Sequence, residues 1–142
     1  MGMTIHEKLN IIMQGGLTAG DLISSNIFWT ITSSGSASLA FMKINSDCVS
    51  IGTTEVATTH ASKTVDLTPY TTLEILVKSA SAHNTSYYGC SIQVDGVNIT
   101  GNITHGTGNK TYTYDVSSIN KEANIVISCG SGTINISSIR LY

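Results

Sequence analysis

Charged residues are scarce in this sequence. They make up 11% of its 142 residues, whereas an average globular protein has roughly 25%. Seven Lys and Arg residues and nine Asp and Glu residues leave a formal net charge of −2. Such a chain has no basic surface for a phosphate backbone or an anionic bilayer. We therefore expect neither nucleic acid nor membrane as a partner, and a surface supplied mainly by Ser, Thr and Asn.

Long apolar runs are also missing. No hydrophobic stretch approaches the roughly 18 residues that a membrane-spanning helix requires. The mainly apolar stretch at residues 9–13 is too short for a signal peptide, and Glu7 precedes it. We therefore expect synthesis in a cytoplasm without Sec export.

The three cysteines form no recognisable framework. Cys48, Cys90 and Cys129 are odd in number and show no CxxC spacing, which argues against both a set of disulfides and a zinc site. Each lies in or beside a predicted strand, so burial as a small hydrophobic residue is the expected role. A bridge between Cys90 and Cys129 stays open if their strands are neighbours.

Catalytic constellations are absent from the sequence. Its histidines lie far apart without HxH or HxxxH spacing, at His6, His60, His83 and His105. The glycine-containing stretch 101–106 has Thr107 where a phosphate-binding loop requires Lys, and no GxSxG motif occurs. We therefore predict that the protein is not an enzyme, with no catalytic residue, no metal ligand and no cofactor.

One short helix is predicted at residues 4–14. Thr4 and Glu7 have the spacing of a capping box, and Gly15-Gly16 ends the element. Its apolar residues fall on one face, at Ile5, Leu9, Ile12 and Met13. Because so short a helix is marginal alone, this face must pack on the rest of the chain, on identical helices, or on a neighbouring protein. We assign residues 1–16 to attachment or oligomerisation and residues 17–142 to one β domain.

The remainder of the chain has the alternation typical of strands. Leu73, Ile75 and Val77 are predicted to face the core, because they alternate with a second set of residues: Glu74, Leu76 and Lys78. Pro69 marks the corner before this strand. Trp29 is predicted to be buried on an earlier strand. Tyr88 starts another alternating strand and is assigned to the core by its phase.

Turn signals separate these strands. Residues 27–32 and 37–44 are predicted to form a hairpin, and Asp95-Gly96 is the two-residue turn of another. Residues 47–62 are read as two short strands within a loop. In the last strand the apolar phase changes at Ser137-Ser138, which predicts a β-bulge. Eight or nine short strands with almost no helix predict an all-β fold, an antiparallel β-sandwich.

The pattern also resembles a known group of proteins. The segments VDLTPYTTLEILVKS, YTYDVSSI, NIVIS and TINISSIRLY, spread over residues 63–142, resemble jelly-roll sandwiches related to galactose-binding domains and carbohydrate-binding modules. In particular, the sequence looks like the versions found in phage tail and other virion structural proteins. This resemblance implies a non-catalytic module, commonly a homo-oligomer. A structural calcium ion is frequent in such folds, but the scattered Asp47, Asp66, Asp95 and Asp115 assign no site for it.

Two polar loops are the candidate ligand-binding regions. Sugar binding uses aromatic faces against C–H surfaces, together with planar polar groups that bind adjacent hydroxyls. Loops 79–89 and 101–109 carry such side chains. The candidate ligand-binding residues are His83, Asn84, Tyr87, Asn102, His105 and Asn109.

Two functions are compatible with this sequence. The first is a phage virion-associated module, made in the host cytoplasm, that binds host cell-surface carbohydrate. The alternative is a purely structural capsid-decoration or tail-assembly subunit that contacts other virion proteins. A homo-oligomer is expected in both cases.

The predicted helix gives a direct test of assembly. If residues 4–14 hold an oligomer together, deletion of residues 1–16 removes the apolar face and converts the oligomer into a monomer. Light scattering of the two proteins measures this change in mass. An unchanged mass contradicts the assignment of the helix to assembly.

Overall fold

The computed structural model describes residues 29–34, 40–53 and 57–142, and this part of the chain is built from β-strands. The helix predicted at residues 4–14, with its four apolar residues, lies outside the described residues. No helix that could span a membrane occurs in the described part. Its ten strands are β1 Thr30–Ser34, β2 Ala40–Ile44, β3 Val49–Thr53, β4 Thr58–Asp66, β5 Thr72–Ala82, β6 Gly89–Val94, β7 Val97–Asn98, β8 Gly108–Asp115, β9 Glu122–Gly130 and β10 Gly132–Leu141.

The strands form two five-stranded antiparallel sheets packed face to face. The first sheet has the order β1-β4-β9-β6-β7, and the second sheet has the order β2-β3-β10-β5-β8. Only the β2–β3 and β6–β7 connections stay within one sheet, while the other connections between described strands cross from one sheet to the other. This alternation gives the predicted jelly-roll sandwich, here with ten strands rather than eight or nine.

The core lies between the sheets and follows the predicted alternation. Leu73, Ile75 and Val77 of β5 are fully buried, as predicted, and they face Ile125 and Ile127 of the opposite sheet, which are also fully buried. Along the regular part of β5 and β9 every second residue points inward, because successive side chains of a strand alternate between its faces. Trp29 is buried and belongs to the same cluster, also as predicted.

The predicted hairpin at Asp95-Gly96 is confirmed. Val94 pairs with Val97 across the turn, and both turn residues have positive φ, 50° for Asp95 and 79° for Gly96. These are the angles of a type I′ turn, which matches the twist of the strands that it joins.

The bulge in β10 is confirmed as well. Ile136 pairs with Val77 and Ser138 pairs with Leu76, so Ser137 has no partner on β5. The extra residue shifts the side-chain phase of the strand. As a result Ile136 and Ile139, which are of opposite parity, are both fully buried.

Two predictions about the first half of the chain are wrong. The segments around β1 and β2 do not form a hairpin: β1 pairs with β4 in the first sheet, and β2 pairs with β3 in the second. Residues 58–62, predicted to be loop, are the first part of the nine-residue strand β4. Alternation determines which face of a strand is buried but not its partner, and Thr-rich strands lack the apolar signal despite the good β-propensity of Thr.

The question about the cysteines is decided by strand pairing. Cys90 and Cys129 lie directly opposite each other on β6 and β9 and form a disulfide. Cys48 is a buried free thiol. All three are buried, as predicted from the sequence.

Gly52 provides a test of how closely β3 and β10 approach. A Cβ at this position would overlap the carbonyl oxygen of Gly132 and lie 2.8 Å from Thr133 Cα. Because the backbone cannot move aside cheaply, Gly52→Ala is expected to lower the free energy of unfolding by about 1–3 kcal/mol. Urea denaturation measures this change.

Gly108→Ala is the matched control, since its Cβ would meet only Lys78 O, at 4.0 Å. We expect this variant to be neutral or slightly stabilising, because glycine within a strand costs conformational entropy. Equal destabilisation by both substitutions would contradict the steric explanation.

Candidate functional site

The corner at which β9 passes into β10 organises one end of the sandwich. It consists of Gly130, Ser131 and Gly132. Ser131 has φ 50° and is buried. Its carbonyl oxygen accepts hydrogen bonds from His83 N at 2.7 Å and Asn84 N at 3.0 Å, and its own N–H donates to Ala57 O at 2.8 Å. We call this end, formed by residues 83–88, 99–107 and 130–132, the loop end.

The loop 83–88 is an ordered structure with an aromatic side chain at its surface. Asn84 Oδ1 accepts a hydrogen bond from Ser86 N at 3.0 Å, and Asn84 O accepts one from Tyr87 N at 3.2 Å. These bonds form the compact turn that Asn favours. Tyr87 is 65% exposed, so the loop presents its ring to solvent from a fixed backbone.

His105 joins the second loop, residues 99–107, to the first loop, residues 83–88. Its Nδ1 accepts a hydrogen bond from Ala82 N at 2.8 Å, which assigns the proton of the neutral ring to Nε2. The ring also packs edge to face on Tyr88, with 6.2 Å between centroids. His105 is exposed, and its Nε2–H is therefore available as a donor to a ligand.

Tyr88 forms the floor beneath these loops. Its hydroxyl donates to Ile103 O at 2.9 Å, and its ring occupies space that a side chain at Gly132 would fill. Burial, and to a lesser extent the neighbouring Tyr112, raises the pKa of the Tyr88 hydroxyl to about 12. The prediction that Tyr88 begins a strand and lies in the core is only partly correct, because Tyr88 precedes β6 and is half-buried against the core. Its hydrogen bond to Ile103 O fixes the loop 99–107.

The other two predicted residues have mainly structural roles. Asn102 Oδ1 accepts a hydrogen bond from Cys90 N at 3.3 Å and so attaches the second loop to β6. Asn109 lies on β8 with φ 34°, a left-handed conformation that Asn tolerates better than most residues.

The structure therefore brings five of the six predicted residues together at the loop end. They are His83, Asn84, Tyr87, Asn102 and His105, while Asn109 lies just beyond them on β8. Strands β5 and β6 belong to different sheets and do not pair, so pairing of these strands is not what brings the two loops together. They meet because the β5–β6 and β7–β8 connections both cross between the sheets at this end.

A concave region lies at the end of the sandwich opposite the loop end, and the sequence does not predict it. This depression of about 360 Å³ is lined by Thr64, Asp95, Gly96, Glu122, Ala123 and Asn124. Thr64 Oγ1 donates to Asn124 Oδ1 at 2.6 Å, and Lys121 forms an ion pair with Asp95 at 3.3 Å. It lacks an aromatic lining residue, so it offers no surface for stacking against a sugar ring.

The outer faces of both sheets carry neutral polar rows. On the second sheet Asn45 Nδ2 donates to Ser50 Oγ at 2.8 Å, and Asn135 connects Ser50 at 2.5 Å with Ser79 at 2.9 Å. On the first sheet His60 Nδ1 is 2.8 Å from Ser128 Oγ. These rows confirm the neutral, hydroxyl-rich surface expected from the composition.

One exposed ion pair lies beside the row on the second sheet. Lys78 Nζ contacts Asp47 Oδ2 at 2.6 Å. The hydrogen bond lowers the pKa of Asp47 and raises the pKa of Lys78. Among the described residues no group of three or more His, Cys, Asp or Glu side chains could hold a metal ion, so the structural calcium ion stays unassigned.

Comparison with known proteins shows similarity in fold alone. No protein-family model and no curated protein matches the sequence. A fragment of tailspike protein 4 from bacteriophage CBA120, described as its enzymatically active domain, is 17% identical with a TM-score of 0.58. The similarity covers 89% of this chain but only 21% of the tailspike chain.

Two carbohydrate-binding modules from Clostridium thermocellum have similar structures over most of their lengths. The family 11 module, solved with a β-1,3-1,4-mixed-linked tetrasaccharide, is 17% identical with a TM-score of 0.52, over 82% of this chain and 89% of that chain. The family 35 module is 12% identical with a TM-score of 0.52, over 82% and 93%. This chain therefore has the jelly-roll sandwich fold of carbohydrate-binding modules.

The half-buried hydroxyl of Tyr88 predicts a loss of stability in alkali. Its pKa is raised from 10.0 to about 12 in the folded protein, so the unfolded chain loses this proton first as the pH rises. The stability that the neutral hydroxyl contributes is complete below pH 10.0 and is lost as the pH rises towards 12. Tyr88→Phe removes this group.

Urea denaturation of both proteins at pH about 8 and about 11 tests the prediction. At the lower pH Tyr88→Phe is expected to be less stable than the wild type by ~1 kcal/mol, the value of one hydrogen bond. The difference narrows at the higher pH. Tyr87→Phe, which removes an exposed hydroxyl from the same loop, is the control, and a Tyr88→Phe difference that does not change with pH contradicts the prediction.

Proposed function

We propose that this protein is a non-catalytic module that binds carbohydrate at the loop end. The observation that carries the proposal is the exposed Tyr87 ring, held on a hydrogen-bonded loop beside polar planar side chains. A sugar ring has an apolar C–H face that stacks on an aromatic ring, and its rim carries hydroxyl groups. His83, Asn84 and His105 supply donors and acceptors for these hydroxyls.

The electrostatics of the loop end favour a neutral sugar. Residues 83–88 and 99–107 contain no Asp, Glu, Lys or Arg. A carboxylate or an ammonium group on the ligand would lose its hydration here without gaining an opposite charge. We therefore infer a neutral hexose or N-acetylated sugar rather than a uronic acid.

The backbone beneath the site is arranged to keep it in place. Cys90 forms the disulfide with Cys129, its N–H donates to Asn102 Oδ1, and its carbonyl oxygen accepts from Ile103 N at 2.6 Å. A loop that is ordered before binding loses less conformational entropy when the ligand arrives. This order suits weak ligands such as single sugar units.

We place this module in a phage virion, where it would bind host cell-surface glycan after synthesis in the host cytoplasm. The support is the sequence resemblance to virion jelly rolls, together with the similar fold of the tailspike fragment. That fragment is described as enzymatically active, and the absence of catalysis in this chain stays a prediction. If no glycan binds, the structural-subunit alternative is favoured.

The proposal predicts the effect of removing the Tyr87 ring. On a glycan that binds the wild type, Tyr87→Ala is expected to weaken affinity by about five- to thirtyfold, since stacking supplies ~1–2 kcal/mol. A glycan array identifies the ligand, and titration calorimetry measures both affinities.

Tyr142→Ala is the matched control. Tyr142 is also an exposed tyrosine, 57% accessible, but it lies at the opposite end, where its backbone pairs with Thr72. We expect this variant to bind as the wild type does. An equal loss in both variants, or no binding of any glycan by the wild type at millimolar concentration, sinks the proposal.

A further inference from the structure

Among the strands that the structure describes, β8 forms one edge of the second sheet. It runs over eight residues, pairs with β5 on one side and is the last strand in the order of its sheet. It contains no proline, and the register with β5 is continuous from Asp115 to Lys110. A long regular edge of this kind is a template for pairing with another strand.

The hydrogen-bond pattern shows which backbone groups face outward. Val116 N donates to Thr71 O at 2.9 Å, and this pair continues the register in which Thr72 opposes Asp115. In an antiparallel ladder, residues alternate between bonding to the partner strand and pointing away from it. The N–H and C=O groups of Thr111, Thr113 and Asp115 therefore point away from β5.

These outward groups are self-complementary. We propose that β8 pairs antiparallel with β8 of a second copy of this chain, with Thr113 on the two-fold axis. Thr113 then opposes Thr113, and Thr111 opposes Asp115, so each outward N–H meets a carbonyl of the other copy. A side chain at Thr111 can also donate to the carboxylate of Asp115 across the interface.

The side chains on the inner face favour the same register. Tyr112 and Tyr114 are half-buried against the edge of the core, and the pairing places each opposite the other residue of the second copy. Directly opposed aromatic residues in a non-hydrogen-bonded pair are close enough to pack together. The same contact covers two rings that the single chain leaves partly in water.

The resulting dimer is closed. An isologous contact uses the same patch on both subunits, so it ends at two copies. The second sheet continues across both copies, and the two-fold axis is perpendicular to it. This axis reverses the direction of the strands from one copy to the other. The two loop ends therefore point in opposite directions. This inference stands on β8 alone and does not depend on sugar binding.

Thr113→Pro tests the interface in the full chain. Proline is tolerated on an edge strand where its missing N–H faces solvent, so the β5 pairing is kept while the pairing at the axis is blocked. Sedimentation velocity from micromolar to millimolar concentration is expected to show a wild-type dimer and a dissociation constant raised at least about tenfold in Thr113→Pro. Thr113→Val keeps the N–H and is expected to dimerise as the wild type does.

Cross-linking tests the register and does not require the proline variant to fold. Mild oxidation of Thr113→Cys is expected to give a covalent dimer, and Thr104→Cys, on an exposed loop, is expected to give none. A monomeric wild type throughout, which leaves the edge to an extended segment of another protein, overturns the proposal. A dimer that survives Thr113→Pro, or that fails to cross-link through Thr113→Cys, overturns it as well.

Discussion

The short corner between β9 and β10 constrains the rest of the structure. β9 is the central strand of the first sheet and β10 is the central strand of the second, and only Ser131 separates them. This short connection therefore holds the centres of the two sheets against each other at this end of the sandwich. Ser131 adopts a left-handed conformation, and small neighbours are required, since a side chain at Gly132 would collide with Tyr88.

The same corner positions the candidate site. Its central carbonyl oxygen binds two backbone N–H groups of the first loop, and Tyr88 at the end of that loop binds the second loop through Ile103 O. The geometry of Tyr87 and His105 thus depends on main-chain contacts rather than on side-chain ion pairs. A site of this kind is insensitive to salt, as expected for a protein with so few charges.

The neutral surface gives the fold its chemical character. Rows such as Asn45, Ser50 and Asn135 satisfy their hydrogen bonds across neighbouring strands, which stabilises the sheet without charged groups. Because the surface is mostly neutral, charge repulsion between molecules in solution is weak. An ordered pairing at the β8 edge would occupy the backbone groups most exposed to such contacts.

Local patterns in the sequence were sufficient for much of the fold. The alternation of Leu73, Ile75 and Val77, the Asp95-Gly96 turn and the phase change at Ser137-Ser138 each depend on residues a few positions apart, and the structure agrees with all three. The sequence also indicates the polar loops around Tyr87 and His105, because an aromatic residue among Asn, Gly and His is unusual within a core.

Strand partners could not be obtained in this way. The placement of β1 and β2 in different sheets, the Cys90–Cys129 bridge and the depression around Asn124 all depend on residues far apart in the chain. The sequence by itself determined which face of each strand is buried, because side chains alternate along a single strand. Only the tertiary structure decided which strands meet, and therefore which loops form a site. The reason is that strand pairing depends on the relative energies of contacts between distant segments, and a local sequence pattern carries no information about those contacts.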